Sequence, residues 1–168
     1  DEAPKWSLWT QGTGMFAKTT SAHHVPGYRT DGGGVLFGTD YTFGDASLAG
    51  DKPALTTGFF GGYQGLYADY DGGGNTTMNS ALFGTYVSFT KGGFYADAVV
   101  AGGYNNFAVR RPIEFSTIDR TARSSQDSGQ FAAALNLGHD WQVGKFTLGP
   151  ILGAQYTYVG IAPFTETG

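Results

Sequence analysis

The chain contains no cysteine, so neither a disulfide nor a thiolate can contribute to its structure or chemistry. Charged residues are also scarce, at 14% of the sequence, whereas soluble domains carry roughly 25%. The formal net charge is −4, and the few arginines gather locally instead of forming a basic stripe. This balance argues against nucleic acid as a partner.

Long apolar runs are missing as well. No stretch reaches the eighteen or so residues that a membrane-spanning helix needs, and the first residues, "DEAPKWSLW", lack the basic and apolar regions of a signal peptide. Helices of any kind are disfavoured, because glycine occurs 28 times and each interior glycine costs a helix about 0.5–1 kcal/mol relative to alanine.

Alternation of apolar with small or polar residues is what the sequence does contain. Bounded by turn residues, this period of two predicts seven strands. They are "KWSLWTQGTGMFAK", "GGVLFGTDYTF", "LTTGFFGGYQGLYADY", "MNSALFGTYVSF", "GFYADAVVAGGYNNF", "GQFAAALNLGHDWQV" and "KFTLGPILGAQYTYV".

The connections between these strands largely alternate in length. "TKGG" and "VGK" are tight, whereas "TTSAHHVPGYRTDG", "DYDGGGNTT" and "AVRRPIEFSTIDRTARSSQDS" read as long loops. "GDASLAGDKPA" breaks the alternation, through either a late strand end or an insertion. Short turns on one rim and long loops on the other are typical of outer-membrane barrels, so we expect an all-β, antiparallel, up-and-down transmembrane β-barrel.

Aromatic spacing supports a membrane barrel. Three aromatic pairs lie ten positions apart on single faces of successive strands, a strand path of about 33 Å. Strand tilt reduces this path to a height of about 25 Å, which matches the apolar band of such barrels. The predicted aromatic girdle residues are Phe94, Tyr104, Phe131, Trp141, Phe146 and Tyr156. Pro150 falls on the same face, where it removes a ladder donor unless it sits close to the turn.

The opposite faces are small or polar and nearly lack lysine, glutamate and arginine. A soluble sandwich would cover its outer face with such charges, so a hydrated, confined interior suits these residues better. The predicted pore-lining residues are Asp40, Asp97, Asn105, Asn136, Asp140 and Gln155.

Other chemistry finds little support in the residues. His23 and His24 are adjacent imidazoles that point apart in an extended chain and have no nearby acidic or cysteine ligand, so we expect no metal site. The glycine runs do not open helices, and no cofactor is expected. The lumen aspartates lack a partner nucleophile or histidine on their face, so we expect no enzyme. The loop from Arg110 to Arg123 could bind lipid phosphates or brace another domain, but a solvated loop is the simpler interpretation.

Seven is an odd strand count, whereas single-chain bacterial barrels have even counts. An open sheet in lipid would leave backbone groups unpaired. We therefore expect residues 1–168 to be the N-terminal portion of the barrel domain, cut within "IAPFTETG" before its last strands. A barrel of twelve strands at this strand spacing would need about 290 residues.

Four segments together resemble the autotransporter translocator domain of type V secretion. They are "GYRTDGGGVLFGTDYTFGD", "ALFGTYVSFTKGGFYADAVVAGGYNN", "IEFSTIDRTARSS" and "LGHDWQVGKFTLGPILGAQYTY". The resemblance implies a twelve-stranded barrel, inserted by the outer-membrane barrel-assembly machinery, with a helix in the pore and a passenger upstream. Some members cleave themselves at an Asn–Asn junction; Asn105–Asn106 lies in a predicted strand, so that activity is not carried over.

The function expected on these grounds is a bacterial outer-membrane translocator, held by outer-membrane lipids, that anchors and helps export its own N-terminal passenger. One alternative is a stand-alone outer-membrane barrel, such as a small porin or adhesin, which the sequence upstream of Asp1 would distinguish. The other is a soluble lipocalin-like β binding protein, which would need no detergent on purification.

Overall fold

The computed structural model describes residues 5–21, 26–44, 52–115 and 118–163, with side chains described outside 113–120. This part of the chain forms nine strands and no helix. The strands are β1 (Trp6–Thr19), β2 (Tyr28–Gly44), β3 (Ala54–Tyr70), β4 (Asn75–Lys91), β5 (Phe94–Phe115), β6 (Ile118–His139), β7 (Trp141–Val143), β8 (Phe146–Leu148) and β9 (Ile151–Ile161).

Seven of these strands form one sheet in the order β1-β2-β3-β4-β5-β6-β9, and β7 pairs with β8 in a separate small sheet. All pairings are antiparallel. Each strand of the main sheet lies beside its predecessor in the chain, apart from the β7–β8 hairpin inserted before β9. This up-and-down order confirms the predicted all-β antiparallel class.

The tight turn between β4 and β5 is formed by two glycines, Gly92 and Gly93. Their φ angles are 56° and 83°, in the left-handed region that residues with a Cβ rarely adopt. The register closes directly on the turn, with Lys91 opposite Phe94. The "TKGG" prediction of a short connection is therefore confirmed, and the turn fixes the register of β4 against β5.

The connection predicted as a long loop between the fifth and sixth strands is instead a hairpin. β5 and β6 are 22 residues each, and their pairing continues to Phe115 opposite Ile118. The residues that extend β6, from Ile118 to Ser128, are mostly polar, so the period-two signal is weak there although the backbone is extended. The "DYDGGGNTT" prediction was wrong in the same way, because β4 already begins at Asn75.

The sixth and seventh predicted strands are each interrupted. β6 ends at His139, and the stretch from Trp141 to Leu148 folds into the β7–β8 hairpin before β9 begins at Ile151. Pro150 lies in the break, where its carbonyl accepts a hydrogen bond from the amide of His139. A proline has no amide hydrogen to give to the ladder, so the strand ends at this point and the prediction of a continuous strand through Pro150 was wrong.

The sheet has no core of large side chains. Among the described residues, the buried hydrophobic ones are three alanines, Ala54, Ala68 and Ala122, and no large side chain is fully buried. Within the same residues the edge strands β1 and β9 make no contact with each other, so the sheet is open there. An ordinary soluble domain would bury a layer of large apolar side chains on one side of such a sheet.

Candidate functional site

The register assigns every side chain of the main sheet to one of two faces, because directly paired residues share a face and successive residues alternate. One face, here called the apolar face, includes the continuous row Leu8, Thr39, Phe59, Thr85, Val100, Ala133 and Tyr156. The opposite face, here called the polar face, includes the row Ser7, Asp40, Gly58, Tyr86, Val99, Ala134 and Gln155.

The apolar face is the more exposed of the two. Along β4, exposed residues on the apolar face alternate with buried or half-buried ones on the polar face from Asn79 to Ser88. Leu8 is 86% exposed, Phe16 81% and Phe83 71%. A protein dissolved in water places its residues the other way round.

All of the buried side chains in the described part of the sheet lie on the polar face. They are Thr30, Ala54, Ala68, Ser80, Asn105, Ala122 and Ser128. Small and polar groups are therefore the enclosed ones here, while leucine, phenylalanine and tyrosine are open to the surroundings.

Aromatic side chains gather on the apolar face near the start of β1. The ring of Trp6 meets the edge of Tyr41 at a centroid distance of 5.1 Å, and Tyr41 meets Phe43 at 4.5 Å. Further along the same face, Phe89 lies 6.3 Å from Phe94. Of these five residues, only Phe94 was predicted as a girdle residue.

Of the other four, only Trp6 had a usable signal in the sequence. Trp6 and Phe16 lie on the same face of β1 and are ten positions apart, the spacing that identified the girdle pairs on later strands. The same test applied to the first strand would have identified both.

Four of the six predicted girdle residues lie on the apolar face of the main sheet: Phe94, Tyr104, Phe131 and Tyr156. The register places Phe131 opposite Tyr158 and Phe94 opposite His139. Trp141 and Phe146 do not belong to this sheet, because they lie in the β7–β8 hairpin. The imidazole of His139 nevertheless stacks near Trp141, with ring centroids 5.1 Å apart.

The polar face carries a hydrogen-bonded cluster centred on Asp40. The hydroxyl of Tyr86 donates to Oδ2 of Asp40 at 2.5 Å, and Nε1 of Trp9 donates to the Tyr86 hydroxyl at 2.9 Å. The hydroxyl of Ser7 donates to Oδ1 of the same carboxylate. The cluster joins β1, β2 and β4 across the sheet, and Phe60 of β3 lies 6.4 Å from the Trp9 ring.

Four of the other five predicted pore-lining residues, Asp97, Asn105, Asn136 and Gln155, also lie on the polar face. Asp97 accepts a 2.5 Å hydrogen bond from Ser88 and is paired with Asn136 on β6. Asn105 is 3% exposed, and its amide donates to Ser128 at 3.0 Å. Gln155 lies on the same face at the edge strand.

Asp140 is the exception. It lies between β6 and β7, in no strand, and so outside the register that defines the polar face. Its amide donates to the carbonyl of Gly93 at 2.9 Å, which fixes it beside the β4–β5 turn.

The β5–β6 hairpin carries a second carboxylate cluster, on the other face. Nδ2 of Asn106 donates to Asp127 at 2.9 Å. This bond, followed by one from the Tyr104 hydroxyl, holds the pKa of the Asp127 carboxyl below its ordinary value. The pair lies beyond Tyr104 toward the tip of the hairpin.

The described residues contain no arrangement typical of a catalytic or metal site. No group of three histidine, aspartate or glutamate side chains among them could hold a metal ion. In the described strands, Asp40 accepts hydrogen bonds from the hydroxyls of Ser7 and Tyr86, and Asp97 accepts one from Ser88. His23 and His24 lie outside the described residues. Among the described residues, no helix is both long and apolar enough to cross a membrane.

An antiparallel up-and-down sheet with an exposed apolar face, aromatic clusters on it and an enclosed polar face defines the class of membrane β-barrel sheets. The model of the family described as Autotransporter beta-domain matches residues 8–168. The chain belongs to this family, and it is part of an outer-membrane translocator barrel.

A solved structure has the same fold. The chain is similar to the crystal structure of the beta domain of the Bordetella autotransporter BrkA, with 15% sequence identity and a TM-score of 0.50. The similarity covers 88% of this chain and 68% of that one. No curated protein matches the sequence.

Proposed function

We propose that this chain anchors and helps export an N-terminal passenger, as part of a barrel whose apolar face contacts lipid and whose polar face lines the lumen. The reversed exposure of the two faces is the observation that supports this proposal best. In hydrocarbon the exposed side chains of Leu8, Phe16 and Phe83 have no cost of hydration, and the enclosed serine and asparagine suit a hydrated lumen.

The aromatic clusters support the same orientation. Trp6, Tyr41 and Phe43 at one level of the apolar face, together with Phe94, would form one girdle at a membrane–water interface, where amphipathic rings are favoured. Tyr104 lies ten residues after Phe94 on β5, and Phe16 lies ten residues after Trp6 on β1. These two residues would belong to the second girdle, at the opposite interface. Trp141 and Phe146 would join the first girdle from the β7–β8 hairpin.

The lumen would be lined by Asp40, Asp97, Asn105, Asn136 and Gln155, with Asp140 at its rim. The side chains of this surface are small or polar and would be hydrated. A peptide segment could therefore lie against them without leaving its own polar groups buried and unpaired. The partners that follow from the proposal are outer-membrane lipids, the barrel-assembly machinery and a passenger upstream of this chain.

Export can be tested in the full-length protein, with an epitope in the sequence upstream of this chain, produced in a Gram-negative host. We expect external protease to remove the epitope from intact cells. In Val100→Arg, which places a charge on the apolar face, the epitope should stay inaccessible, whereas the neighbouring Ala101→Arg on the polar face is the matched control. An inserted barrel with no epitope at the surface would favour a stand-alone barrel instead.

A further inference from the structure

The β7–β8 hairpin has one face that is entirely apolar. The register places on this face the two cross-strand pairs Trp141–Leu148 and Val143–Phe146. Each of these four side chains is more than half exposed. On the opposite face Gln142 is paired with Thr147, and the Gln142 amide donates a 2.8 Å hydrogen bond to the Thr147 hydroxyl. The hairpin is therefore amphipathic, and its apolar side is open to the surroundings.

Two backbone hydrogen bonds hold the base of the hairpin at one rim of the sheet. The amide of Asp140, directly before β7, donates to the carbonyl of Gly93 at 2.9 Å. The amide of His139 donates to the carbonyl of Pro150 at 3.3 Å. Gly93 belongs to the tight β4–β5 turn, and tight turns face the periplasm in outer-membrane barrels. This places the hairpin at the periplasmic end of the barrel.

The apolar face of the hairpin continues the apolar face of the main sheet. His139 is paired with Phe94 on that face, and its ring centroid lies 5.1 Å from that of Trp141. After the hairpin, β9 places Leu152 on the same face of the sheet, where it is 71% exposed. Exposed apolar side chains thus border the hairpin both where it leaves the sheet and where the chain returns to it.

Lys145 is the one charged residue from Trp141 to Leu148 in the sequence. It lies in the turn at the tip of the hairpin, where it is exposed. The carboxylate that precedes the hairpin, Asp140, is at its base, where a Cβ on Gly149 would be 2.6 Å from the Asp140 Oδ1. An exposed ammonium group beyond an apolar surface complements the phosphates of a lipid headgroup layer.

We propose that the β7–β8 hairpin is a second membrane contact of the barrel, bound to phospholipid of the periplasmic leaflet. Its apolar face lies at the acyl–headgroup boundary, as the apolar face of an interfacial amphipathic helix does, and the Lys145 ammonium reaches the phosphates. Continuity with the apolar face of the sheet and the cation at the tip favour lipid over a protein partner. The proposal rests on the proposed function, since it requires the apolar face of the sheet to contact lipid.

The test is the accessibility of nitroxide spin labels in the full-length protein, inserted in liposomes of phosphatidylethanolamine and phosphatidylglycerol. Residues 1–168 contain no cysteine, so a label can be attached to one introduced cysteine once any cysteine elsewhere is replaced. The label on Phe146→Cys should collide more with oxygen, which concentrates in hydrocarbon, than with a water-soluble nickel chelate. The adjacent Thr147→Cys, on the polar face of the hairpin, is the matched control, and its label should show the reverse order.

The role of Lys145 is tested in the Phe146→Cys protein. Lys145→Glu should repel the phosphates and raise the nickel accessibility of the label, whereas Lys145→Arg keeps the charge and should leave the accessibility unchanged. An unchanged accessibility in Lys145→Glu would contradict the contact between Lys145 and phosphate.

Two results would overturn the hairpin proposal as a whole: equal nickel accessibility of the Phe146 and Thr147 labels, or protection of the Phe146 label from both reagents, which would indicate a protein partner. A label on Val100→Cys, on the apolar face of the main sheet, separates the two proposals. If nickel reaches the Val100 label, the proposed function fails. If oxygen reaches it while nickel reaches the Phe146 label, the hairpin proposal alone fails. Val143→Cys and Gln142→Cys give the same comparison on β7 and replace a labelled variant whose heat-dependent migration shows no insertion.

Discussion

Nε1 of Trp9 donates a 2.9 Å hydrogen bond to the hydroxyl of Tyr86, although the residues are 77 positions apart and lie on the first and fourth strands. Two glycines make this reach possible. Gly38 of β2 lies directly under the Trp9 ring, and a Cβ on Gly58 of β3 would be 2.6 Å from the Tyr86 ring. The large side chains lie flat across the intervening strands because those strands present no side chain there.

A methyl group at Gly38 should therefore destabilise the barrel. The Cβ of Gly38→Ala would overlap the Trp9 indole, and overpacking of this kind costs about 1–3 kcal/mol. Gly12→Ala is the control, because nothing lies within 4 Å of a Cβ at that position, and it should be neutral or slightly stabilising. Urea titration of the full-length protein in detergent micelles or liposomes measures both. Equal stabilities of the two variants would contradict the packing described for Trp9.

The hydrogen bond between Trp9 and Tyr86 should be measurable as a coupling. In a cycle of Trp9→Phe, Tyr86→Phe and the double variant, we expect a coupling free energy of about 0.5–1.5 kcal/mol. Tyr86→Phe should cost more alone than the coupling, since it also removes the donor to Asp40. Additive effects in the same urea titration would mean that the bond does not form in the membrane.

Features that depend on neighbouring residues could be predicted from the sequence. The strand period, the Gly92–Gly93 turn and the assignment of Asp40 and Asp97 to one face each follow from a few consecutive residues, and the register agrees with them. The hairpin from Arg110 to Arg123 was missed, because the adjacent Arg110 and Arg111 put a charge on both faces of β5 and the following part of β6 is mostly polar, which hides the alternation even where the backbone is extended.

The Trp9–Tyr86–Asp40 cluster lies beyond such reasoning. It depends on the pairing of four strands, which sets Ser7 opposite Asp40 and Gly58 opposite Tyr86. A shift of one residue in any of these registers would turn one partner to the other face. The break at Pro150 could be predicted only in part. The missing backbone hydrogen-bond donor was visible in the sequence, but the separate β7–β8 hairpin was not.

The two faces should respond differently to charge. Val100→Arg and Leu152→Arg, on the apolar face, should each cost about 2–4 kcal/mol of barrel stability in lipid. Ala101→Arg should cost less, because the arginine would extend from the polar face into the hydrated lumen and not into lipid. A membrane refolding titration gives the three values. Similar costs at Val100 and Ala101 would contradict the assignment of the apolar face to lipid.

The Asp127 carboxyl should make the β5–β6 hairpin sensitive to acid. Its pKa in the folded chain is held below the unfolded value by bonds from Asn106 and then Tyr104, so its stabilising effect is complete above the unfolded value of about 3.9. The effect is lost as the pH falls through the lower folded value. We expect amide protection near the pair to drop in that range, and Asn106→Ala to raise the carboxyl pKa in an NMR titration. Ser125→Ala, on the same face of β6, should leave it unchanged; the same pKa in the wild type and Asn106→Ala would show that the bond does not hold the carboxylate.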